Sequence, residues 1–193
     1  MTIFSYLNAI IAVVLLLTAC GGSNKQTIVP PAPEPTTYSY DVKVTNLTNA
    51  QPLSPVAVVL HNESALFTLG ESATIAIENL AESGDNSHVE NESFVLAFAS
   101  STGVIMPSKN ETISVELVNT MPTFISLATM LVNTNDAFTG VSAQNISNLA
   151  VGESISLFAG SYDAGTEKNS ELMSTIPGPA ASGEGFNAER DDV

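Results

Sequence analysis

The chain has 193 residues, of which 44% are hydrophobic, 20 are acidic and 5 are basic, so its formal net charge is −15 at pH 7. This length and apolar content are enough for one domain with its own core, and they exclude collagen, a coiled coil and a fully disordered chain. The acidic excess repels the phosphates of nucleic acids and anionic lipid head groups, so we expect no nucleic-acid partner. A cation is a better candidate, although an acidic surface also simply keeps a protein soluble.

The N-terminal segment is typical of an exported protein. Residues 1–19 carry no charged side chain, and residues 10–17 form an unbroken apolar run that is too short to span a bilayer and fits a secretory signal peptide. The run ends in Leu17-Thr18-Ala19-Cys20, which resembles the bacterial lipobox, and Gly21 follows it. We therefore expect a lipoprotein of the bacterial outer membrane that is anchored in the lipid bilayer through acylated Cys20 and faces the periplasm or the outside.

The two ends of the mature chain have the composition of unfolded segments. Residues 20–37 are rich in Gly and Pro and lack hydrophobic periodicity, so they predict an extended tether. Residues 178–193 contain several glycines and a closing acidic run, which predict a disordered acidic tail. Because Cys20 is the only cysteine, the chain forms no internal disulfide. The folded domain is expected to span residues 38–177.

The sequence of the domain predicts mainly β-strands. Residues 38–45 alternate between apolar and polar side chains, which predicts a strand with one wet face, and the continuous apolar run 56–60 suits a strand covered on both faces. Further strand candidates are residues 94–99, 112–118, 124–132 and 153–158. Residues 73–83 have helical spacing between a cap at Ser72 and a stop at Gly84. The pattern predicts a mainly β, antiparallel sandwich with one or two short helices.

Acidic residues in two loops are candidates for a metal site. Asp163 and Glu167 lie on either side of Gly165, and Asp136 lies in a loop of similar polarity. Carboxylates brought close together repel one another unless a cation lies between them, and an oxygen-only set favours Ca²⁺ over zinc or copper. The alternative is that these side chains are simply solvated.

Four segments resemble the spondin N-terminal domain family in its bacterial form: residues 40–48, 51–55, 130–140 and 162–167. The resemblance runs from about residue 38 to about residue 177, and the Asp-Ala-Gly-Thr-Glu turn at 163–167 is its most specific part. It implies a C2-like antiparallel β-sandwich with one calcium ion near one end. The ligands that it implies are Asp136, Asp163 and Glu167. Residues 83–101 depart from the family pattern, since they are polar and irregular where a cleaner helical segment is expected.

Three functions are compatible with the sequence. The first is a non-enzymatic binding or adhesion module that binds a protein or glycan partner, because the resemblance implies matrix and adhesion roles in animals. The second is a periplasmic or surface hydrolase that uses the acidic residues with His61, although the chain has neither Gly-x-Ser-x-Gly nor His-Glu-x-x-His. The third is a glycan-binding module, for which the lack of tryptophan and an aromatic content of 6% are unfavourable.

Overall fold

The computed structural model of the protein describes residues 2–7, 33–170 and 172–190. Most of the expected signal peptide, Cys20 and most of the tether lie outside these residues. The described elements, in chain order, are β1 (Thr2–Leu7), β2 (Thr37–Thr45), β3 (Ala57–His61), α1 (Ile75–Ser83), α2 (Ser87–Glu90), β4 (Ala97–Ser100), β5 (Asn110–Val118), β6 (Phe124–Met130), β7 (Ala137–Asn145), β8 (Ser154–Ser156), β9 (Gly160–Asp163) and a 3₁₀ helix (Met173–Thr175).

The strands form two antiparallel sheets. One has the order β5-β2-β1-β8 and the other the order β4-β3-β6-β7-β9. Alternate residues of β2, namely Tyr40, Val42 and Val44, face a buried core to which Leu60 of β3 and Ile125 of β6 also belong. The prediction of a mainly β, antiparallel sandwich with short helices is confirmed.

Strand β3 is covered on both faces, as its continuous apolar run predicted. Val58 and Leu60 belong to the core between the sheets, whereas Ala57 and Val59 pack in a second cluster on the other side of the strand. That second cluster includes Leu80 of α1, so the helix covers the outer face of the five-stranded sheet. Burial of each large apolar side chain stabilises such a layer by about 1.5–3 kcal/mol.

Helix α1 begins two residues later than the sequence indicated. Its N-cap is Thr74 and not Ser72, and the Thr74 side chain accepts a hydrogen bond from the amide of Ile77 at 3.3 Å. Gly84 ends the helix in the left-handed conformation, with φ of 74°, and its amide donates to Leu80 O at 3.0 Å. Beyond it, the irregular region 83–101 contains only the single turn of α2 and the short β4.

Strands β7 and β9 were missed by the sequence reading, and they position the candidate site. The β7 segment is poor in β-branched and aromatic residues, so its local pattern does not predict a strand. Pairing with β6 on one side and with β9 on the other holds β7 in place, and Ala137 at the start of β7 lies opposite Asp163 at the end of β9. The loop that precedes β7 and the turn that follows β9 therefore lie at the same end of the sheet.

Strand β1 belongs to the segment that we expect to be a signal peptide. It lies between β2 and β8, with register pairs that run from Thr2↔Lys43 to Leu7↔Tyr38 and from Thr2↔Ser156 to Phe4↔Ser154. The signal peptide remains a prediction. Within the described ranges, no helix combines the length and hydropathy needed to cross a bilayer.

Candidate metal site

The loop before β7 and the turn after β9 are joined through Asp136. Its backbone oxygen accepts a hydrogen bond from the amide of Ala164 at 3.1 Å, next to the last pair of the β7-β9 ladder. Its carboxylate Oδ2 accepts hydrogen bonds from the amides of Thr166 at 2.9 Å and Glu167 at 3.0 Å. The structure thus places the backbone of Glu167 against the Asp136 carboxylate, while the ligand set that the resemblance implies stays a prediction.

Both of these residues are buried, which is unusual for carboxylates. Asp136 is 1% exposed and Glu167 is 4% exposed. Burial raises the pKa of Asp136, the amide hydrogen bonds from Glu167 and Thr166 oppose this rise, and the negative charge of Asp163 adds to it. The environment of Asp136 therefore disfavours a negative charge that no cation balances.

Asp163 has a different environment from its two neighbours. Its side chain is exposed, Oδ1 accepts a hydrogen bond from the amide of Gly165 at 2.7 Å, and Oδ2 accepts one from Asn169 Nδ2 at 2.7 Å. Gly165 has a φ of 66°, a conformation that L residues other than Asn and Asp rarely adopt. In this structure the Asp163 carboxylate organises the tight turn that presents Thr166 and Glu167 to Asp136.

Helix α1 contributes a carboxylate that the sequence reading missed. Glu82 is 1% exposed, and its Oε2 accepts a hydrogen bond from the amide of Asn187 at 2.8 Å. Its Oε1 is buried and has no hydrogen-bond partner among the described residues. Burial raises the pKa of Glu82 most, the Asn187 amide and the Thr166 hydroxyl lower it, and the charges of Glu78 and Asp136 raise it again. Glu82 therefore belongs to the same acidic cluster as Asp136.

A signal for Glu82 was present in the sequence. Glu78 and Glu82 lie four residues apart and therefore on one face of α1, next to Ile77 and Ala81 of the apolar stripe. Acidic side chains beside such a stripe enter the buried face of the helix and need a partner there. For Glu78 the partner is Arg190, whose guanidinium forms a salt bridge with it at 2.5 Å.

The C-terminal residues up to 190 contact the rest of the domain, although their composition indicated a disordered tail. Beside Asn187 and Arg190, the amide of Ala180 donates to Asn133 Oδ1 at 3.3 Å. Gly178 lies so close to Val132 that a Cβ atom at its position would be 2.1 Å from Val132 O. The sequence did not indicate these contacts because the segment has few apolar residues and the contacts are polar.

Comparison with known proteins identifies the family. The family model Spondin_N matches residues 43–180, which is more than half of the chain. The chain belongs to the spondin N-terminal domain family. No curated protein matches it. Spondin N-terminal domains are modules of the binding or adhesion type and are not typically enzymes. The matched region includes Glu82, Asp136, Asp163 and Glu167, but it ends before Asn187 and Arg190.

The donor chemistry of the cluster in this spondin domain fits a hard cation. Glu82, Asp136 and Glu167 supply only oxygen atoms, and Glu82 Oε1 is a buried acceptor without a hydrogen bond to any described residue. The side chains are not gathered into a coordination shell, since no group of three His, Cys, Asp or Glu residues in the described part of the chain is arranged to hold a metal ion. The fit therefore rests on the kind and burial of the ligand atoms.

His61 in this spondin domain is a structural residue of the core. It is 0% exposed, its Nδ1 bonds Glu63 O at 2.9 Å and its Nε2 bonds Ser126 Oγ at 2.8 Å. Burial lowers the pKa of His61, and the hydrogen bond to the Glu63 carbonyl opposes this shift. Because both ring nitrogens are engaged and no part of the ring reaches solvent, His61 is unsuited to act as the general base of a hydrolase.

A cavity of about 260 Å³ opens elsewhere on the spondin domain, at one edge of the sandwich. It is lined by apolar residues of both sheets, including Val44 and Leu127, and by Phe158, which is 91% exposed. Among the described residues, no titratable side chain lines it. This cavity suits apolar contact and not acid–base chemistry.

Proposed function

We propose that the protein is an envelope-anchored lipoprotein whose spondin domain binds Ca²⁺ and serves as a non-enzymatic binding module for a protein or glycan partner. The observation that carries the calcium proposal is the pair of buried carboxylates of Glu82 and Asp136, of which Glu82 Oε1 has no hydrogen bond to any described residue. Asp163, which raises the pKa of Asp136 through its charge, adds a further negative charge at the solvent side of the cluster.

The electrostatic argument for calcium compares the buried negative charge with the positive charge and hydrogen-bond donors that compensate it. Buried carboxylates are stable as anions only where positive charge or hydrogen-bond donors compensate them, and the raised pKa values of Glu82 and Asp136 reflect incomplete compensation. A divalent cation supplies the missing charge, and oxygen ligands without histidine or thiol favour Ca²⁺ over zinc or copper. The carboxylates of Glu82, Asp136 and Glu167 would have to draw together to hold the cation, with Asp163 at the outer side, because in the described residues they form no coordination shell.

The anchoring part of the proposal rests on Leu17-Thr18-Ala19-Cys20. Lipid on Cys20 contributes about 0.8 kcal/mol per buried CH₂ group, and several acyl chains together anchor a protein stably in a membrane. The wild-type protein should therefore appear in the outer-membrane fraction and incorporate a labelled fatty acid. Cys20→Ala should abolish both. A wild-type protein that stays unlabelled would contradict the anchoring proposal and leave the calcium proposal untouched.

Thermal melting with calcium or with EDTA tests the calcium proposal. Extracellular calcium modules bind with Kd of about 10⁻⁴–10⁻³ M, so about 1 mM Ca²⁺ should stabilise the fold by about 0.4–1.4 kcal/mol. For a domain of this size, the melting temperature should rise by about 1–6 °C. Mg²⁺ at the same concentration should have a smaller effect, because it demands a tighter octahedral shell.

Two matched variants locate the effect. Glu82→Gln should remove most of the calcium response, whereas Glu116→Gln, the same change at an exposed position of β5, should keep it. Equal melting temperatures of the wild type in calcium and in EDTA would refute calcium binding. A response that survives in Glu82→Gln would place the ion elsewhere.

A further inference from the structure

Strand β1 lies in a gap of the four-stranded sheet that has the width of one extended chain. The sheet order is β5-β2-β1-β8, and among the described strands β1 alone pairs with β8. All six residues of β1 pair with β2, from Thr2↔Lys43 to Leu7↔Tyr38, and three of them pair with β8. Because neighbouring strands lie about 4.7–4.9 Å apart, a single strand separates β2 from β8.

Removal of the expected signal peptide takes β1 out of this sheet, since residues 1–19 include the whole strand. Strand β2 then exposes a row of unpaired backbone N–H and C=O groups from Tyr38 to Lys43. It contains no proline that would block pairing along this edge. An open edge of this kind is a template for another extended chain.

Strand β8 is held in position by contacts that do not involve β1. Ile155 of β8 and the preceding Leu149 pack against the core between the sheets. In the turn before β8, the amide of Glu153 donates a hydrogen bond to Ala150 O at 3.0 Å. Residues 157–159 then lead directly to β9, which pairs with β7 of the other sheet. The gap therefore keeps both of its walls when β1 is removed.

We propose that, in the processed protein, the gap between β2 and β8 is a strand-acceptor site that binds an extended segment of a partner protein. This inference rests on the proposed removal of the signal peptide, and it specifies the kind of protein partner that the domain binds. Main-chain hydrogen bonds to β2 and β8 supply affinity for such a segment, and the side chains on either face of the sheet supply specificity.

The topology of the sheet disfavours a second copy of the domain as the occupant. A strand in the gap needs two free edges, because it pairs with β2 on one side and with β8 on the other. The β2 of a second copy already pairs with β5 along Thr37–Thr45 and has only one edge to offer. Two chains with a net charge of −15 also repel one another. The occupant is therefore a segment of another protein that is not already part of a sheet.

The positions along the gap differ in the side chains that they accept. Ile3 pairs with Val42 on one side and with Ile155 on the other, and these two neighbours belong to the core or pack against it. Since residues directly opposite one another in a ladder share a face, the occupant needs an apolar residue at this position. Phe4, the next residue, pairs with Asp41 on the solvent side of the sheet, where a polar or basic residue is suitable.

Peptide binding to the processed protein tests the site. The protein is purified from the outer membrane in detergent, its N-terminus is verified as Cys20, and a synthetic peptide of residues 2–7 is titrated into it calorimetrically. We expect one-to-one binding. An Ile3→Lys peptide should bind about tenfold more weakly or worse, because it places a charge against the core, whereas a Phe4→Lys peptide should bind within about threefold of the parent. Both changes are in the peptide, so the fold of the protein is unaffected.

Hydrogen exchange locates the bound peptide. At a peptide concentration about ten times its Kd, the amides of β8 and those of β2 that face the gap should exchange about tenfold more slowly. The amides of β6, in the other sheet, should not change. The unprocessed chain is the control, because β1 fills its gap, and it should not bind the peptide.

The outcomes separate this proposal from the proposed function. Absence of binding by a protein that begins at Cys20, or equal weakening by the two lysine peptides, would overturn the strand-acceptor site and leave the anchoring proposal intact. Dimerisation that protects the same amides without peptide would overturn it in favour of a second copy. A purified envelope protein that retains residues 1–19 would refute signal-peptide removal and the strand-acceptor site together.

Discussion

Arg190 and Glu78 form a two-point ion pair across 112 positions of the chain, with Nε 2.9 Å from Oε1 and Nη2 2.5 Å from Oε2. The Glu78 side chain is 3% exposed and the Arg190 side chain is 36% exposed. A carboxylate that is buried to this extent needs a positive partner, and the paired geometry is the form in which arginine binds carboxylates most specifically. This pair joins the C-terminal residues 183–190 to α1.

Loss of Arg190 should destabilise the fold. Arg190→Gln leaves the buried Glu78 carboxylate without its cation, and partial solvent screening of Arg190 keeps the cost at about 1–2 kcal/mol. The melting temperature in EDTA should fall by about 2–8 °C. Lys43→Gln removes the same charge from an exposed position of β2 and should leave the melting temperature unchanged within about 1 °C. Equal effects of both variants would mean that total charge, and not this pair, determines stability.

Replacement of Glu82 should have a different effect on stability with and without calcium. In EDTA at pH 7.5, Glu82→Gln should be more stable than the wild type, on the order of 1 kcal/mol, because it removes a buried charge that is not fully compensated. In calcium the wild type gains stability from the ion and the variant does not. Denaturant unfolding at pH 7.5 in both solutions measures the two differences. A variant that is less stable in EDTA would contradict this prediction.

The advantage of Glu82→Gln in EDTA should depend on pH. Because the folded-state pKa of Glu82 is raised, the folded protein holds this proton at pH values where the unfolded chain has lost it. The stability of the wild type relative to the variant is therefore highest below the ordinary glutamate pKa and falls as pH rises through the folded-state value. The lowered pKa of His61 acts in the opposite direction, but His61 is present in both proteins and cancels. A difference that is independent of pH between about 4.5 and 7.5 would contradict the assignment.

Gly84 should not tolerate a side chain. Its φ of 74° is strained for alanine, and a Cβ atom there would lie 2.8 Å from Ser54 Cβ. Gly84→Ala should therefore cost about 2 kcal/mol or more. Gly103→Ala, at a glycine without positive φ and with no heavy atom within 4 Å of the added Cβ, should cost less than about 0.5 kcal/mol. Urea unfolding measures the free energies of unfolding of the two variants. Equal values would show that the loop around Ser54 moves to accommodate the added methyl group.

Removal of residues 1–19 should open one edge of β2. In the structure β2 pairs with β1 on one side and with β5 on the other. A chain that begins at Cys20 lacks β1, so the β2 amides that face β1 should exchange faster with solvent while those that face β5 stay protected. Hydrogen exchange of the full and shortened chains measures this. Equal protection on both sides of β2 in the shortened chain would mean that another segment occupies the place of β1.

Local sequence patterns were sufficient for the framework of the domain. The alternation in β2 and the continuous apolar run in β3 each indicate how many faces of a strand are buried, so the sandwich and a strand covered on both faces followed from them. The helix boundary was less certain, because both Ser72 and Thr74 can cap a helix and only packing selects between them. The turn at 163–167 was visible because it needs an acidic side chain and a glycine at fixed spacing.

Only the tertiary structure decided which carboxylates share a buried site. Strand β7 has weak strand propensity and is held by β6 and β9, so its pairing brought Asp136 to Glu167. Glu82 lies near Asp136 because α1 packs on the same sheet. Asn187 contacts Glu82 through a backbone hydrogen bond, and such a polar contact leaves no periodic pattern in the sequence. Apolar burial repeats along a strand or a helix and can be read from the sequence, whereas contacts between distant polar groups depend on how the whole chain packs.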